Sequence, residues 1–247
     1  MDDIANRYFP YLMEVRKRLF FVASVFLIST ALGFIYYEKI ILFSLGVFNL
    51  EGINIVFTSP FQFIELSINS GLLVGLIAVF PLIISQVLAF LKPALKKSEY
   101  RLVISLLPLS IFLFLFGFAY GVFIMRYVLV IFQEKSLALS IGNFLDVSRF
   151  LSQILVTSAL MGLAFQFPVV LTILMRLRVI TYQALSKQRM IAYSFSVIFA
   201  AFLPPTDLFS LALLTIPLVI LFETTLLLNK VVFKTPPKPK KEVKRNV

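Results

Sequence analysis

Six long apolar stretches divide the chain, and polar, mostly basic segments separate them. A helix needs about 20 apolar residues to cross the roughly 30 Å hydrocarbon core of a bilayer, and most of the stretches have that length. The pattern therefore predicts an all-α, polytopic membrane protein in which residues 1–230 form one domain of six transmembrane helices. The spans are predicted near residues 19–37, 67–91, 102–125, 150–175, 190–203 and 208–229.

The fifth stretch is shorter than the others. The residues between Arg189 and Pro204 form about 21 Å of helix at about 1.5 Å per residue, which is less than the thickness of the hydrocarbon core. A helix of this length thins the bilayer locally, or it packs against longer neighbouring helices.

The distribution of basic residues predicts the orientation in the membrane. Nineteen of the 23 Lys and Arg residues fall on one side once the chain is divided at the six stretches. Loops rich in Lys and Arg stay in the cytoplasm, so both termini are predicted to be cytoplasmic. The segments predicted to face outward are residues 38–66, 126–149 and 204–208, which carry only Lys39, Arg126, Lys135 and Arg149 as basic residues.

The two ends of the chain have patterns of their own. Residues 8–19 place apolar side chains at spacings of three and four, which predicts an amphipathic helix lying at the membrane interface before the first span. Residues 1–19 lack the layout of a cleavable signal, so the first apolar stretch is predicted to remain as a span. Residues 231–247 are rich in Pro and Lys, which predicts a disordered basic tail.

Composition agrees with a membrane protein and excludes several functions. Hydrophobic residues make up 60% of the chain, charged residues only 14%, and the mean hydropathy is +0.98; a soluble domain of this length cannot bury that much apolar surface. The net charge of +11 lies at span ends, so it indicates topology and attraction to anionic lipid and not nucleic-acid binding. The sequence has no Cys and no His, which closes most routes to hydrolysis and zinc binding. No enzymatic activity, metal or cofactor is predicted.

Glu14 and Glu99 are acidic residues inside predicted cytoplasmic clusters of basic residues. Glu14 lies four residues before Arg18, and Glu99 lies three after Lys96, so each can form a local surface pair that stabilises a helix by about 0.2–0.5 kcal/mol. The alternative is a binding role. An isolated carboxylate on a basic face selects a cationic ligand, above all arginine, which forms two parallel hydrogen bonds to one carboxylate.

Gln166 is a polar residue deep in the predicted fourth span. Pro168 removes the helical hydrogen bond of the Ala164 carbonyl, and a nearby amide can bond backbone groups that a proline leaves open. The alternative is a contact with a partner helix. Both interpretations describe Gln166 as an intramembrane polar contact.

Two acidic residues near the predicted sixth span have structural interpretations. Glu223 lies seven residues before Lys230, so its side chain is predicted to extend toward the cytoplasmic interface. Asp207 follows Pro205 in the last outer turn, where it is predicted to cap the start of the sixth helix.

A series of short motifs runs through nearly the whole chain. The segment from Tyr11 to Leu19, YLMEVRKRL, is similar to the signature H-L-x-E-L-R-x-R-L. Further matches are Ser59-Pro60, Pro81 with Gln86 and Phe90, Pro93-Ala94-Leu95 leading to Glu99 and Arg101, Phe165-Gln166-Phe167-Pro168, Pro205-Thr206-Asp207, and Pro217 with Leu221-Phe222-Glu223. In their order and spacing these motifs resemble the TatC family, the multispanning receptor subunit of the twin-arginine protein translocase.

The resemblance implies a function and a set of partners. Glu14 and Glu99 would bind the paired arginines of a signal peptide, together with Arg16, Phe90 and Arg101. The protein would nucleate transport of folded twin-arginine precursor proteins, driven by the proton-motive force. Single-span TatA-type and TatB-type subunits, and further copies of the chain in a receptor complex, are the implied partners. The implied location is the bacterial cytoplasmic (inner) membrane, with an organellar membrane as the alternative.

Several positions depart from the family pattern, and they keep a second function open. Tyr11 replaces the leading His, Gln62 replaces a Glu, and Ser70 and Pro204 replace a Lys and a Thr. Gln166 stands where many relatives have Glu, which argues against a protonating carboxylate being required there. The alternative function is secondary transport of a small solute, suggested by proline-broken spans and scattered intramembrane polar groups.

Overall fold

The computed structural model describes residues 2–48, 54–56, 59–91, 97–138, 144–177, 179–205 and 207–231, and these are almost entirely helical. The predicted tail, residues 232–247, lies outside the described residues. The helices are α1 (Asp2–Ile35), α2 (Tyr37–Phe48), α3 (Gln62–Leu91), α4 (Lys97–Ala138), α5 (Val147–Ala164), α6 (Phe167–Arg176), α7 (Tyr182–Lys187), α8 (Arg189–Ala201) and α9 (Leu208–Val231), and the strands are β1 (Asn54–Val56) and β2 (Phe144–Asp146).

Five segments of the described chain are long and apolar enough to cross a membrane, which confirms a helical integral membrane protein. The predicted fifth span is α8, which is apolar but has only 13 residues. The five segments are Leu12–Ile35, Gln62–Val87, Ile104–Phe132, Ser148–Arg176 and Leu208–Val231.

The N-terminal segment is not a separate interfacial helix. Helix α1 runs without a break from Asp2 to Ile35, so the predicted turn between residues 8–19 and the first span is wrong. No Gly or Pro occurs between Tyr11 and Leu32, and the charged residues there are good helix formers, so nothing ends the helix at the membrane surface.

Helix α4 extends well beyond its predicted end. It has 42 residues and reaches Ala138, about 63 Å at about 1.5 Å per residue, or twice the thickness of the hydrocarbon core. The predicted outer segment 126–149 therefore begins as helix. Its first part contains no Gly or Pro, so the helix continues after the apolar stretch ends.

Two short strands are an exception to the predicted all-α fold. Strands β1 and β2 pair in parallel, with Asn54 opposite Phe144 and Val56 opposite Asp146. The Gln62 side-chain amide donates to Oδ2 of Asp146 at 2.7 Å, and the Ser148 hydroxyl donates to the Gln62 carbonyl at 3.0 Å. These contacts join the first two segments that the sequence predicts to face outward.

The fourth predicted span is divided into two helices. Helix α5 ends at Ala164 and α6 begins at Phe167, with Pro168 in its first turn. Because proline has no N–H, it fits the first turn of a new helix better than the interior of a continuing one. The backbone N–H of Gln166 bonds the carbonyl of Leu163 at 3.0 Å, three residues back, so the α-helical pattern is already lost there.

The α5–α6 segment lies at the centre of the bundle, and α1 lies at its edge. Within the most apolar window of each span, 61% of residues are buried in Ser148–Arg176 but only 6% in Leu12–Ile35. Helix α4 packs closely on α5: a Cβ built on Gly121 would lie 2.6 Å from Cα of Ser158, and one on Gly117 would lie 2.6 Å from Cγ of Phe165. Only glycine permits this approach at either position.

Candidate functional sites

The Glu14 side chain is held by a neighbouring arginine on α1. Nη2 and Nε of Arg18 lie 2.6 and 3.2 Å from Oε1 of Glu14. Nη1 of Arg18 donates to Oε1 of Gln86 on α3 at 2.8 Å and contacts the Gln86 carbonyl at 3.5 Å. The local pair of Glu14 and Arg18 is therefore present, and it is tied to a second helix. The Glu14 side chain remains 41% exposed.

An apolar groove between α1 and α3 includes two residues of this cluster, Arg18 and Gln86. Its volume is about 440 Å³. Arg18 and Gln86 are its polar lining residues, and Phe90 is half-buried in its wall. The remaining lining residues are Val15, Leu19, Val22, Ile83 and Val87. The structure thus brings Phe90 and the Arg18 partner of Glu14 to one groove.

The other three residues of the predicted recognition site are Arg16, Arg101 and Glu99. The Arg16 guanidinium is exposed and lies 5.7 Å from the centre of the Phe20 ring, a distance at which a cation is attracted to an aromatic face. Arg101 is exposed on the second turn of α4. The side chain of Glu99 lies outside the described residues, although its backbone belongs to α4.

Gln166 makes hydrogen bonds inside the bundle. Its Oε1 accepts from the hydroxyl of Ser110 on α4, and its Nε2 donates to the Ser110 carbonyl at 3.1 Å. A longer contact of 3.4 Å joins Nε2 to the carbonyl of Gly162, the carbonyl that the Gln166 backbone N–H would bond in an unbroken helix. The side chain therefore replaces a backbone bond near Pro168 and also ties α4 to the α5–α6 break.

Glu223 is paired with α8 and is half-buried. The Tyr193 hydroxyl donates to Oε1 of Glu223 at 2.6 Å, and Nε of Arg189 lies 3.4 Å from the same oxygen. Arg189 is the first residue of α8. The Glu223 side chain therefore reaches the start of α8, where Arg189 and Tyr193 of this neighbouring helix contact its carboxylate.

The turn before α9 is stabilised from both sides. The Ser210 backbone N–H and hydroxyl donate to the two carboxylate oxygens of Asp207 at 2.8 and 2.6 Å, the geometry of a helix cap. Partial burial raises the pKa of Asp207, but the hydrogen bonds from Ser210 and backbone N–H groups outweigh this and lower the pKa below its ordinary value. The Thr157 hydroxyl on α5 donates to the carbonyl of Pro204, whose peptide bond to Pro205 is cis.

The sequence did not indicate several interhelical hydrogen bonds. The Tyr120 hydroxyl on α4 donates to the carbonyl of Leu213 at 2.7 Å. That carbonyl lies four residues before Pro217, so the helix supplies no donor for it. In the sequence, Pro217 indicates that the Leu213 carbonyl lacks its helical donor, but it does not indicate which residue of another helix replaces that donor. Further bonds of this kind join Asn69 to Ser152 at 2.8 Å and Asn229 to Thr172 at 3.0 Å.

Comparison with known proteins identifies a family. The family model described as Sec-independent protein translocase protein (TatC) matches residues 10–217. The chain is 31% identical to TatCy of Bacillus subtilis (strain 168) over 91% of this chain and 89% of that protein. It is 32% identical to TatC of Listeria innocua over 93% of both chains. A crystal structure described as Twin Arginine Translocase Receptor TatC in DDM superposes with a TM-score of 0.78 at 29% identity, covering 88% of this chain and 98% of that one.

These matches decide between the functions that the sequence left open. Each of these relatives is named as a protein translocase component, so the solute-transporter alternative has no support. The function is protein transport without enzymatic chemistry. With a family model that covers most of the sequence, two relatives above 30% identity and a matching fold, the chain belongs to the TatC family of Sec-independent protein translocase proteins.

Proposed function

We propose that this chain is the receptor subunit of a twin-arginine translocase and that Glu14 binds an arginine of the signal peptide. The observation that carries the proposal is the position of Glu14: an accessible carboxylate paired with Arg18, which lines an apolar groove between α1 and α3. Signal peptides have a basic segment followed by an apolar one. The Glu14 carboxylate can therefore bind the basic segment of the peptide while the apolar groove accepts the apolar segment.

The carboxylate is suited to arginine because its second oxygen is open. Both Arg18 bonds go to Oε1, and within the described residues Oε2 of Glu14 accepts no hydrogen bond. We assign Glu99 as the second carboxylate of the site, and Arg16 and Arg101 as its basic surroundings, on the family resemblance. Exposed basic side chains such as Arg16, Lys17 and Arg101 repel cations in general, so binding requires specific carboxylate contacts.

Binding of a twin-arginine peptide to the purified full-length protein tests this assignment. Glu14→Gln should weaken binding about tenfold or more, since a hydrogen bond to a charged group contributes about 1.5–3 kcal/mol. Glu65→Gln is the matched control, because Glu65 is an exposed carboxylate at the opposite end of α3 from Gln86. A peptide with two lysines in place of the arginines should bind weakly to every variant. Equal affinities for the Glu14 and Glu65 variants would reject the assignment.

We further propose that α8 crosses the membrane as a short fifth span, which gives six spans and two cytoplasmic termini. Helix α8 packs against α9, and Arg189 at its start and Lys230 at the end of α9 follow the rule that basic residues stay in the cytoplasm. About 20 Å of helix is short for the bilayer, so the membrane is expected to be thin beside α8.

Single cysteines report this topology, because the natural sequence has none. Lys135→Cys and Phe202→Cys, both at exposed positions, should react with an impermeant reagent in intact cells. Lys187→Cys, at an exposed position before α8, should react only after the membrane is opened. If residues 187 and 202 react under the same condition, α8 does not cross.

The proposed surroundings are a bacterial cytoplasmic membrane with single-span TatA-type and TatB-type subunits and with transport driven by the proton-motive force. The bacterial relatives support the location. A cavity of about 210 Å³ lies between the α5–α6 segment, α8 and α9, and its lining includes Gln166, Phe195, Ser196 and Leu218. Both amide hydrogens of Gln166 are already used within the chain, so a partner helix at this cavity is expected to meet mainly apolar side chains.

A further inference from the structure

The carboxylate proposed to bind an arginine of the signal peptide already holds an arginine of its own chain. Arg18 bonds Oε1 of Glu14 through two of its nitrogens and Gln86 through the third. The pair is neutral as a unit, so it attracts a cationic peptide less than a lone carboxylate would. Any peptide arginine that reaches Glu14 therefore meets an internal competitor.

The geometry allows the competitor to leave in steps. Within the described residues Oε2 of Glu14 accepts no hydrogen bond, so a peptide guanidinium can first contact Oε2 while Arg18 remains on Oε1. Two parallel bonds to the carboxylate require Oε1 as well, so Arg18 must then withdraw. Its Nη1 keeps the Gln86 side-chain oxygen at 2.8 Å and the Gln86 carbonyl at 3.5 Å, so the displaced arginine retains acceptors on α3.

We propose that Arg18 competes with the signal peptide for Glu14, and that Gln86 holds Arg18 when the peptide displaces it. These two residues adjust the affinity that the contact with Glu14 provides. The inference rests on the proposed function, because it requires Glu14 to be the peptide contact. Partly exposed ion pairs four residues apart on a helix are weak, so the competitor should reduce peptide affinity by about two- to fivefold.

The test is a set of dissociation constants for a fluorescent twin-arginine peptide and the full-length protein in lipid nanodiscs. Arg18→Gln should bind the peptide about two to five times more tightly, because Glu14 is then unpaired. Gln86→Leu should bind it more weakly by a similar factor, because the partly buried Arg18 would then lack a side-chain acceptor once it is displaced, whereas it still has Glu14 before displacement. In the Arg18→Gln background, Gln86→Leu should have no effect, since there is no arginine to hold.

Each other outcome overturns a defined part of the inference. Unchanged or weaker binding by Arg18→Gln would show that Arg18 is not a competitor. Weakening by Gln86→Leu in both backgrounds would make Gln86 a direct peptide contact. Arg18→Lys, which keeps the charge but offers one donor group, should tighten binding by a smaller factor and guards against a folding defect in Arg18→Gln, as does a thermal unfolding curve for each variant.

One further variant separates this inference from the proposed function. If Glu14→Gln binds the peptide as tightly as the natural protein, the assignment of Glu14 fails and the competition fails with it. If Glu14→Gln loses binding but Arg18→Gln does not gain it, Glu14 remains the contact and only the competition is rejected.

Discussion

Replacing Gln166 with leucine tests what holds α4 to the α5–α6 break. Leucine has a similar volume but no hydrogen-bonding group. The substitution removes the bond from the Ser110 hydroxyl, the bond to the Ser110 carbonyl and the longer contact with Gly162. We expect the protein to insert and fold but to be less stable.

The magnitude follows from the number of interhelical bonds. Hydrogen bonds between membrane helices contribute about 0.6 kcal/mol on average and up to about 1.7 kcal/mol. Two such bonds join Gln166 to Ser110, and the 3.4 Å contact with Gly162 adds little because of its length. The Gln166→Leu substitution should therefore lower the free energy of unfolding by about 1–2 kcal/mol. Gln166→Glu, which in its protonated form keeps an acceptor and one donor, should lose about half as much.

The measurement is unfolding in mixed detergent micelles followed by circular dichroism, because the protein has no Trp to report by fluorescence. Thr224→Val is the matched control: its exposed hydroxyl bonds only the carbonyl of Ile220 in its own helix. Ser110→Ala should cost less in the Gln166→Leu background than alone. Full additivity of these two substitutions, or a loss no larger than that of Thr224→Val, would refute the assigned role.

Two further predictions concern α9. Tyr120→Phe leaves the Leu213 carbonyl without a donor and should lower the free energy of unfolding by about 1 kcal/mol. Adding Pro217→Ala to this variant restores a backbone N–H for that carbonyl and should recover part of the loss. If nothing is recovered, the loss does not come from the Leu213 carbonyl. Asp207→Ala removes the cap and should cost about 1 kcal/mol at neutral pH. Because the pKa of Asp207 is lower in the folded protein, its contribution is complete above the ordinary carboxyl pKa and is lost as the pH falls through the folded value. A pH titration of stability should show this loss in the natural protein and not in Asp207→Asn.

The spans could be predicted because the bilayer requires a run of apolar residues of a certain length, and such a run is visible in the sequence itself. The end of α4 could not. Helix α4 continues to Ala138 after its apolar stretch stops, since a helix ends where a breaker or a cap occurs and not where hydropathy falls. The pairing of β1 with β2 was missed because three-residue strands depend on a partner distant in sequence.

The same distinction applies to the candidate sites. The bond between Glu14 and Arg18 was predictable because residues four apart meet on any helix. Its link to Gln86 spans 68 positions, and the link from Gln166 to Ser110 spans 56. Hydropathy and short motifs do not encode which helices adjoin, so the chemistry of these residues could be inferred but their partners could not.

The arrangement of helices separates recognition from the stability of the bundle. Helix α1, which carries Glu14 and Arg18, packs chiefly against α3 and is otherwise little buried. Gln166 belongs to the buried contacts of α4 with the α5–α6 segment. Substitutions at Arg18 should therefore change peptide affinity with little effect on unfolding, while substitutions at Gln166 should do the reverse. A bundle that keeps its polar core apart from its peripheral helix can exchange partners at Glu14 without breaking the hydrogen bonds that hold the remaining helices together.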